Sequence, residues 1–300
     1  MKTFFLKCCI LAVILVILDQ SLGYLSQYYF FQTRDGDTGG QINGLLEKKA
    51  PVLIFGSSRA EGHYIPSILS NAFGMQVFNA GFKGSNSIYD FGLEQLVFDT
   101  YKPELVVYDI ASITINKTKF NPYDRLEPLY PFWGNEHVFE LIKKKSTLEE
   151  YFFLSRLYPY NSKIHSILLF NLLKSRPNVD NGYRPQNTIM KDVPLEDASQ
   201  DSWKTDELLV SYLKKFIASA KKNNVKIVVV FSPRFYKSKG LPKEIEQFLN
   251  ENNILYLDFD LESYPKFTDS KLYRDKYHLN HNGAKLFSQL LGNMLTPVLR

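Results

Sequence analysis

Pro51-Val52-Leu53-Ile54-Phe55-Gly56-Ser57-Ser58-Arg59 joins an apolar run to a glycine and a pair of serines. A continuous apolar run that stops at a glycine fits a strand buried on both faces, as in a parallel sheet. Similar runs recur at Met75–Phe78, Leu105–Ile110, Val225–Phe231 and Ile254–Asp258. Helical patterns lie between and after them. Tyr89, Leu93, Leu96 and Val97 mark a helix over about 86–100, and Leu208, Leu209, Tyr212, Leu213 and Phe216 form one face of a helix over about 204–222. Further helices are expected at about 242–252 and 281–294. Strands alternating with helices predict an α/β protein with a doubly wound parallel sheet, a three-layer sandwich with right-handed crossovers. In such a sheet ligands bind beyond the carboxyl ends of the strands. Gly56-Ser57-Ser58, Asn79–Gly84, Asp109–Thr114 and Ser232-Pro233 all fall there.

Working outward, residues 1–31 form a separate segment. Lys2 and Lys7 precede the apolar run Cys8–Leu18, which Asp19 interrupts. The run is short for a bilayer span of about 20 residues, yet a helix can continue through Leu22, Tyr24 and Leu25 to an interfacial Tyr28–Phe31 cluster. The expectation is an uncleaved membrane anchor with its lysines inside; the rival is a cleaved signal peptide ending near Ser21-Leu22-Gly23. Either way the rest of the chain lies on the extracytoplasmic side. Residues 32–49, polar and rich in glycine, read as a linker. Residues 50–300 read as one domain with an insertion at about 116–200, rich in proline and aromatic residues, carrying helices at about 145–157 and 160–175.

The net charge of +5 is mild and no long basic run occurs, so no nucleic-acid partner is expected. Both cysteines, Cys8 and Cys9, lie in the N-terminal segment, which leaves the rest without disulfides or thiolate metal ligands. Gly81-Phe82-Lys83-Gly84 is neither a dinucleotide fingerprint nor a phosphate-binding loop. His278 and His281 lack a third ligand at helical spacing, so no metal and no cofactor is expected.

Near the C-terminus, Asp275-Lys276-Tyr277-His278-Leu279-Asn280 places a carboxylate three residues before an imidazole. A serine hydroxyl is a poor nucleophile until a base takes its proton, and the base works best when a carboxylate fixes its tautomer. The chain therefore carries Ser58, Asp275 and His278 as a candidate triad. His63, His137 and His165 read as surface or packing residues, and Arg59 either pairs with Asp109 or contacts an anionic substrate.

The arrangement resembles the SGNH (GDSL-like) hydrolase superfamily over roughly residues 51–295. Gly56-Ser57-Ser58 resembles the family's first block, with Ser58 at the nucleophile position. Asn79–Gly84 resembles the second, where Gly84 would give an oxyanion N–H beside that of Ser58. Asp275–His278 matches the last block. The anchor and Leu279–Gly283 are similar to membrane-anchored envelope members, the alginate O-acetyltransferase-like and D-alanyl transfer protein-like groups.

Two positions depart from the family pattern. Ile113 stands where an oxyanion asparagine is usual after the third strand, and Ser57 replaces the usual aspartate before the nucleophile. Losing one oxyanion donor costs about 10²–10³ in rate; Asn116, or the Ser112 hydroxyl, can supply it if the loop curls back. The resemblance implies an exported, membrane-anchored serine esterase or O-acyltransferase acting on acyl esters of a cell-envelope polysaccharide or glycan, with a membrane acyltransferase as a possible partner. The alternative is a catalytically silent relative that binds polysaccharide or scaffolds such a partner.

Overall fold

The computed structural model describes residues 1–299 apart from 35, 37, 173–179, 192, 193, 196–202, 238 and 239. The ends of the insertion and of the helix expected over 160–175 fall in part outside the described residues. The chain divides into two compact units. One comprises Met1–Gly44 and Leu126–Pro177, the other Leu45–Arg125 and Asn178–Arg300.

The second unit holds five parallel strands: β1 (Val52–Gly56), β2 (Val77–Asn79), β3 (Leu105–Asp109), β4 (Lys226–Phe231) and β5 (Leu255–Asp258), in the order β2-β1-β3-β4-β5. This is the expected doubly wound sheet. Strands β1 to β4 are buried on both faces apart from Lys226, and Val52, Leu53, Ile54 and Phe55 are all fully buried, whereas the edge strand β5 is only partly covered. Covering such a side chain is worth about 1.5–3 kcal/mol relative to leaving it in water, as an upper bound.

Alternate residues serve different helical layers. Val52, Ile54, Val107 and Val228 join a core with Leu69, Phe287 and Leu291, from the helices Pro66–Phe73 and His281–Leu299. Phe55 and Tyr108 point the other way, their rings 5.1 and 5.0 Å from that of Phe216 on the helix Glu207–Lys222. That helix packs beside Ser87–Thr100. Both have side-chain caps: Asn86 accepts from Tyr89 N–H at 3.1 Å, and Asp206 from Leu208 N–H at 3.0 Å. Leu208, expected on the buried face, is 37% exposed. Gly56 and Asp109 are register partners, so the segments following β1 and β3 emerge together at the order reversal, where a doubly wound sheet opens a crevice.

The other unit contains the N-terminal helix, Lys2–Phe30, and the insertion helices Glu136–Lys143, Glu149–Phe152 and Ile164–Asn171. The helix continues through Asp19 because the carboxylate is satisfied: it accepts from Ser155 Oγ at 2.5 Å and from Arg156 N–H at 3.0 Å. Phe30 is buried against Phe132 and Tyr160. Residues 32–49, read from sequence as a linker, include a helix at Gly40–Lys48. The insertion expected over 116–200 is divided, since residues 126–177 group with the N-terminal helix and the flanking parts with the sheet.

Candidate active site

The turn after β1 is set by close contact. Gly56 has φ +129°, and a Cβ there would lie 2.5 Å from the Asp109 carbonyl oxygen. Any side chain would separate β1 from β3, so the chain turns sharply and Ser58 begins the short helix Ser58–His63 beyond the strand end. Asn79, at the end of β2, fastens that helix by donating to the carbonyls of Ala60 at 2.7 Å and Tyr64 at 3.0 Å. Its Oδ1 accepts from Gly81 N–H at 2.9 Å. The loop 79–84 is thereby held against the helix that carries Ser58.

Asp275 and His278 sit on a two-stranded antiparallel hairpin, β6 (Tyr273–Asp275) and β7 (His278–Leu279). Asn280 anchors it. Its Oδ1 accepts from Gly283 N–H at the start of the last helix, and its amide donates to the carbonyls of Lys271 and Tyr273. Across the two segments Ser58 Oγ lies 2.8 Å from His278 Nε2. His278 Nδ1 lies 2.8 and 3.0 Å from the two oxygens of Asp275. A carboxylate on Nδ1 puts the proton there, leaving Nε2 to accept from the serine hydroxyl. Burial by itself would raise the Asp275 pKa. The hydrogen bond and charge of His278, the Tyr277 N–H and Arg274 outweigh it and hold the carboxyl well below its ordinary range.

His63, read from sequence as a packing or surface residue, is fully buried and forms part of this arrangement. Its Nε2 accepts from Leu279 N–H at 2.9 Å, so Nδ1 carries the proton and donates to Ser232 Oγ at 2.9 Å. Burial, reinforced by the charges of Arg59 and His278, pushes its pKa well below the ordinary value, and the ring is neutral. Its one sequence signal is its place on the helix that begins with Ser58.

Gly84 has φ +76° and lies beside the Arg125 guanidinium, which a Cβ on residue 84 would approach to 3.3 Å. Gly84, Ile113, Asn116, Lys117 and Arg125 line one cavity of about 240 Å³ with no carboxylate among its lining residues. Ile113 is 47% exposed. Asn116 Oδ1 is buried without a partner among the described residues.

Of the two readings of Arg59, the structure contains the pairing with Asp109. It is buried, donates to Asp109 Oδ1 at 3.1 Å and to the Ile110 carbonyl, and stacks 4.8 Å from the Phe231 ring. Tyr64 OH completes the buried carboxylate at 2.5 Å. The guanidinium therefore braces the ends of β1 and β3. His281 Nδ1 lies 2.9 Å from Tyr183 OH, whereas His137 and His165 are exposed.

No protein-family model matches the chain, and no curated protein matches it significantly. Among solved structures it is similar to a proposed acylhydrolase from Bacteroides fragilis, at 12% identity and TM-score 0.41, covering 83% of this chain and 88% of that one. It is also similar to a proposed lipolytic protein of the G-D-S-L family from Desulfitobacterium hafniense, at 13% identity and TM-score 0.40, covering 81% and 98%. An acetyl xylan esterase aligns at 14% identity and TM-score 0.36, covering 82% and 99%. At these identities and scores the likeness carries no residue's role over to this chain.

Proposed function

We propose that the protein is a serine esterase or O-acyltransferase of SGNH type that works at the membrane on acyl esters of an envelope polysaccharide or glycan. The observation that carries this reading is the Ser58–His278–Asp275 hydrogen-bonded relay at the carboxyl edge of a parallel sheet. Ser58 Oγ attacks the ester carbonyl while its proton passes to His278 Nε2. Asp275 keeps the Nδ1 proton in place and stabilises the imidazolium. The backbone N–H groups of Ser58 and Gly84 meet the developing oxyanion, with the Asn116 side chain as third donor in place of the usual asparagine. Collapse transfers the proton from Nε2 to the leaving alcohol and leaves the acyl group on Ser58. Water or a sugar hydroxyl then attacks, losing its proton to Nε2, which passes it to Ser58 Oγ as the acyl–oxygen bond breaks and the serine is released.

Lys117 and Arg125, both exposed and without an acid in the cavity lining, suit an acceptor rich in oxygen or negative charge. Lys2 and Lys7 ahead of the apolar run Cys8–Leu18 favour an anchor with the catalytic unit outside the cytoplasmic membrane. Ile113 at the usual asparagine position supports the second reading, a silent binder.

The readings separate in one assay. The full chain in lipid nanodiscs is given an aryl acetate with and without an oligosaccharide acceptor, and acetate and acetylated sugar are both measured. An active enzyme releases the aryl alcohol, and Ser58→Ala abolishes release. Wild type no faster than Ser58→Ala would leave the silent binder.

A further inference from the structure

The N-terminal helix is 29 residues long, and Phe4–Leu18 are all exposed. A bilayer's hydrocarbon layer is about 30 Å thick, or about 20 helical residues at 1.5 Å each. Counted from Thr3 the span ends at Leu22; counted from Cys8, with Lys7 at the inner boundary, it ends at Gln27. Asp19 is therefore three to eight residues inside the outer edge, about 5–12 Å deep. A carboxylate at that depth is costly unless it is paired.

It is paired by the insertion. Ser155 Oγ and Arg156 N–H both donate to Asp19, and Gln20 Nε2 donates to the Leu154 carbonyl. Four residues on, a Cβ at Gly23 would lie 2.6 Å from the Arg156 backbone, and the Arg156 guanidinium lies 3.4 Å from the centre of the Tyr24 ring. Residues 154–156 are thus fixed against helix positions 19–24, which the two counts place no more than about 3 Å beyond the outer boundary, or below it.

The surroundings are apolar to match. Leu148, Tyr151, Phe152 and Leu154 are exposed, and so are Ile164, Leu168 and Leu172. A groove of about 410 Å³ runs between the N-terminal helix, at Leu22, Leu25 and Tyr29, and the helix Ile164–Asn171. An exposed apolar patch of this kind on a soluble surface would be an association site. Here it continues the lipid-facing surface of the helix it flanks.

We propose that the insertion is a bilayer-seated collar. Residues 148–172 lie in the outer hydrocarbon–headgroup boundary around the N-terminal helix, with lipid acyl chains filling the groove. Interfacial segments bury their apolar faces about 5–10 Å into this boundary, which agrees with the depth of Asp19. The collar gives Asp19 its partners and seats the insertion on the membrane. It rests on the anchor reading proposed above, and the experiment keeps the two apart.

In a Cys8→Ser, Cys9→Ser background, single cysteines are placed at Val13, Leu154, Leu168 and Glu262 and labelled with an environment-sensitive fluorophore. The full chain is put in vesicles of phosphatidylethanolamine and phosphatidylglycerol, with and without doxyl-labelled lipid. The collar predicts loss of emission by doxyl quenching at Leu154 and Leu168 as well as Val13, and none at Glu262. Quenching at Val13 alone would overturn the collar and leave the anchor. No quenching at Val13 would overturn both. Blue-shifted emission at Leu154 and Leu168 without quenching would mean that protein covers the face, which also overturns the proposal.

Discussion

The backbone N–H of Leu279 donates to Nε2 of His63 at 2.9 Å, tying the strand that carries the candidate base to the short helix that begins with the candidate nucleophile. Both groups are buried and neither has water to replace the other. A deleted partner leaves a buried N–H unpaired, at about 1–3 kcal/mol. His63→Phe should therefore lower the melting temperature and reduce kcat on an aryl acetate with little change in KM, since His63 positions His278 without reaching substrate. His63→Gln, whose amide oxygen can accept from Leu279, should recover part of kcat. A kcat unchanged in His63→Phe would make the residue structural only.

Asp275 is predicted to act through the tautomer of His278. Asp275→Asn keeps the shape but removes the acceptor that holds the proton on Nδ1. The variant should fold with an unchanged circular dichroism spectrum and lose at least about 10²-fold in kcat. Unchanged turnover would reduce Asp275 to a turn residue, satisfied by the Tyr277 and His278 N–H groups it also accepts from.

Much of this arrangement was legible in the sequence, for physical reasons. A strand buried on both faces is apolar nearly throughout, so β1 to β4 show as runs; β5, only partly covered at the sheet edge, shows as a run without that cause. The Asp275–His278 pair is local and shows as a spacing. Long-range partners do not show: apart from its closeness to Ser58, nothing in the chain separates buried, bonded His63 from exposed His137. Arg59 had an open choice because burial, not residue type, decided for Asp109. The helix Pro66–Phe73 was missed although its signals were present, with Pro66 at the first turn and Gly74 at φ +68° closing it. Gly40–Lys48 read as a linker because its composition is polar, yet Ile42 and Leu45 are buried. Asp19 looked like the end of an apolar run because its partners, Ser155 and Arg156, are remote in sequence.

The oxyanion side gives a paired prediction. If the Asn116 amide serves as third donor, Asn116→Ala should lower kcat by about 10²-fold, and Ile113→Asn should change it little. If Asn116 takes no part, Asn116→Ala leaves kcat intact and Ile113→Asn raises it. Steady-state kinetics on one aryl acetate read both.

Asp90 makes stability depend on pH in the sheet unit. It is fully buried, accepts from Tyr108 OH at 2.9 Å, and burial raises its pKa from 3.8 to about 7. Between about pH 4 and 7 the folded state keeps a proton that the unfolded state has lost, so stability falls as pH rises through this window and levels off above it. The full change is about 4 kcal/mol. Glu94, raised in the same direction by burial, adds to the slope. Asp275, held low, acts with the opposite sign and at lower pH, where protonation removes its contribution. Melting temperatures from pH 4 to 8 should fall less steeply in Asp90→Asn than in wild type; identical slopes would contradict the assignment.

Ser58, 2.8 Å from His278 Nε2, is predicted to be the activated nucleophile. A serine-reactive fluorophosphonate tests it directly on the full chain in nanodiscs, with the adduct located by peptide mass spectrometry. The predicted result is a single adduct on the peptide containing Ser58, absent in Ser58→Ala and strongly reduced in His278→Ala. An unmodified wild-type protein, or an adduct elsewhere that survives Ser58→Ala, would contradict it.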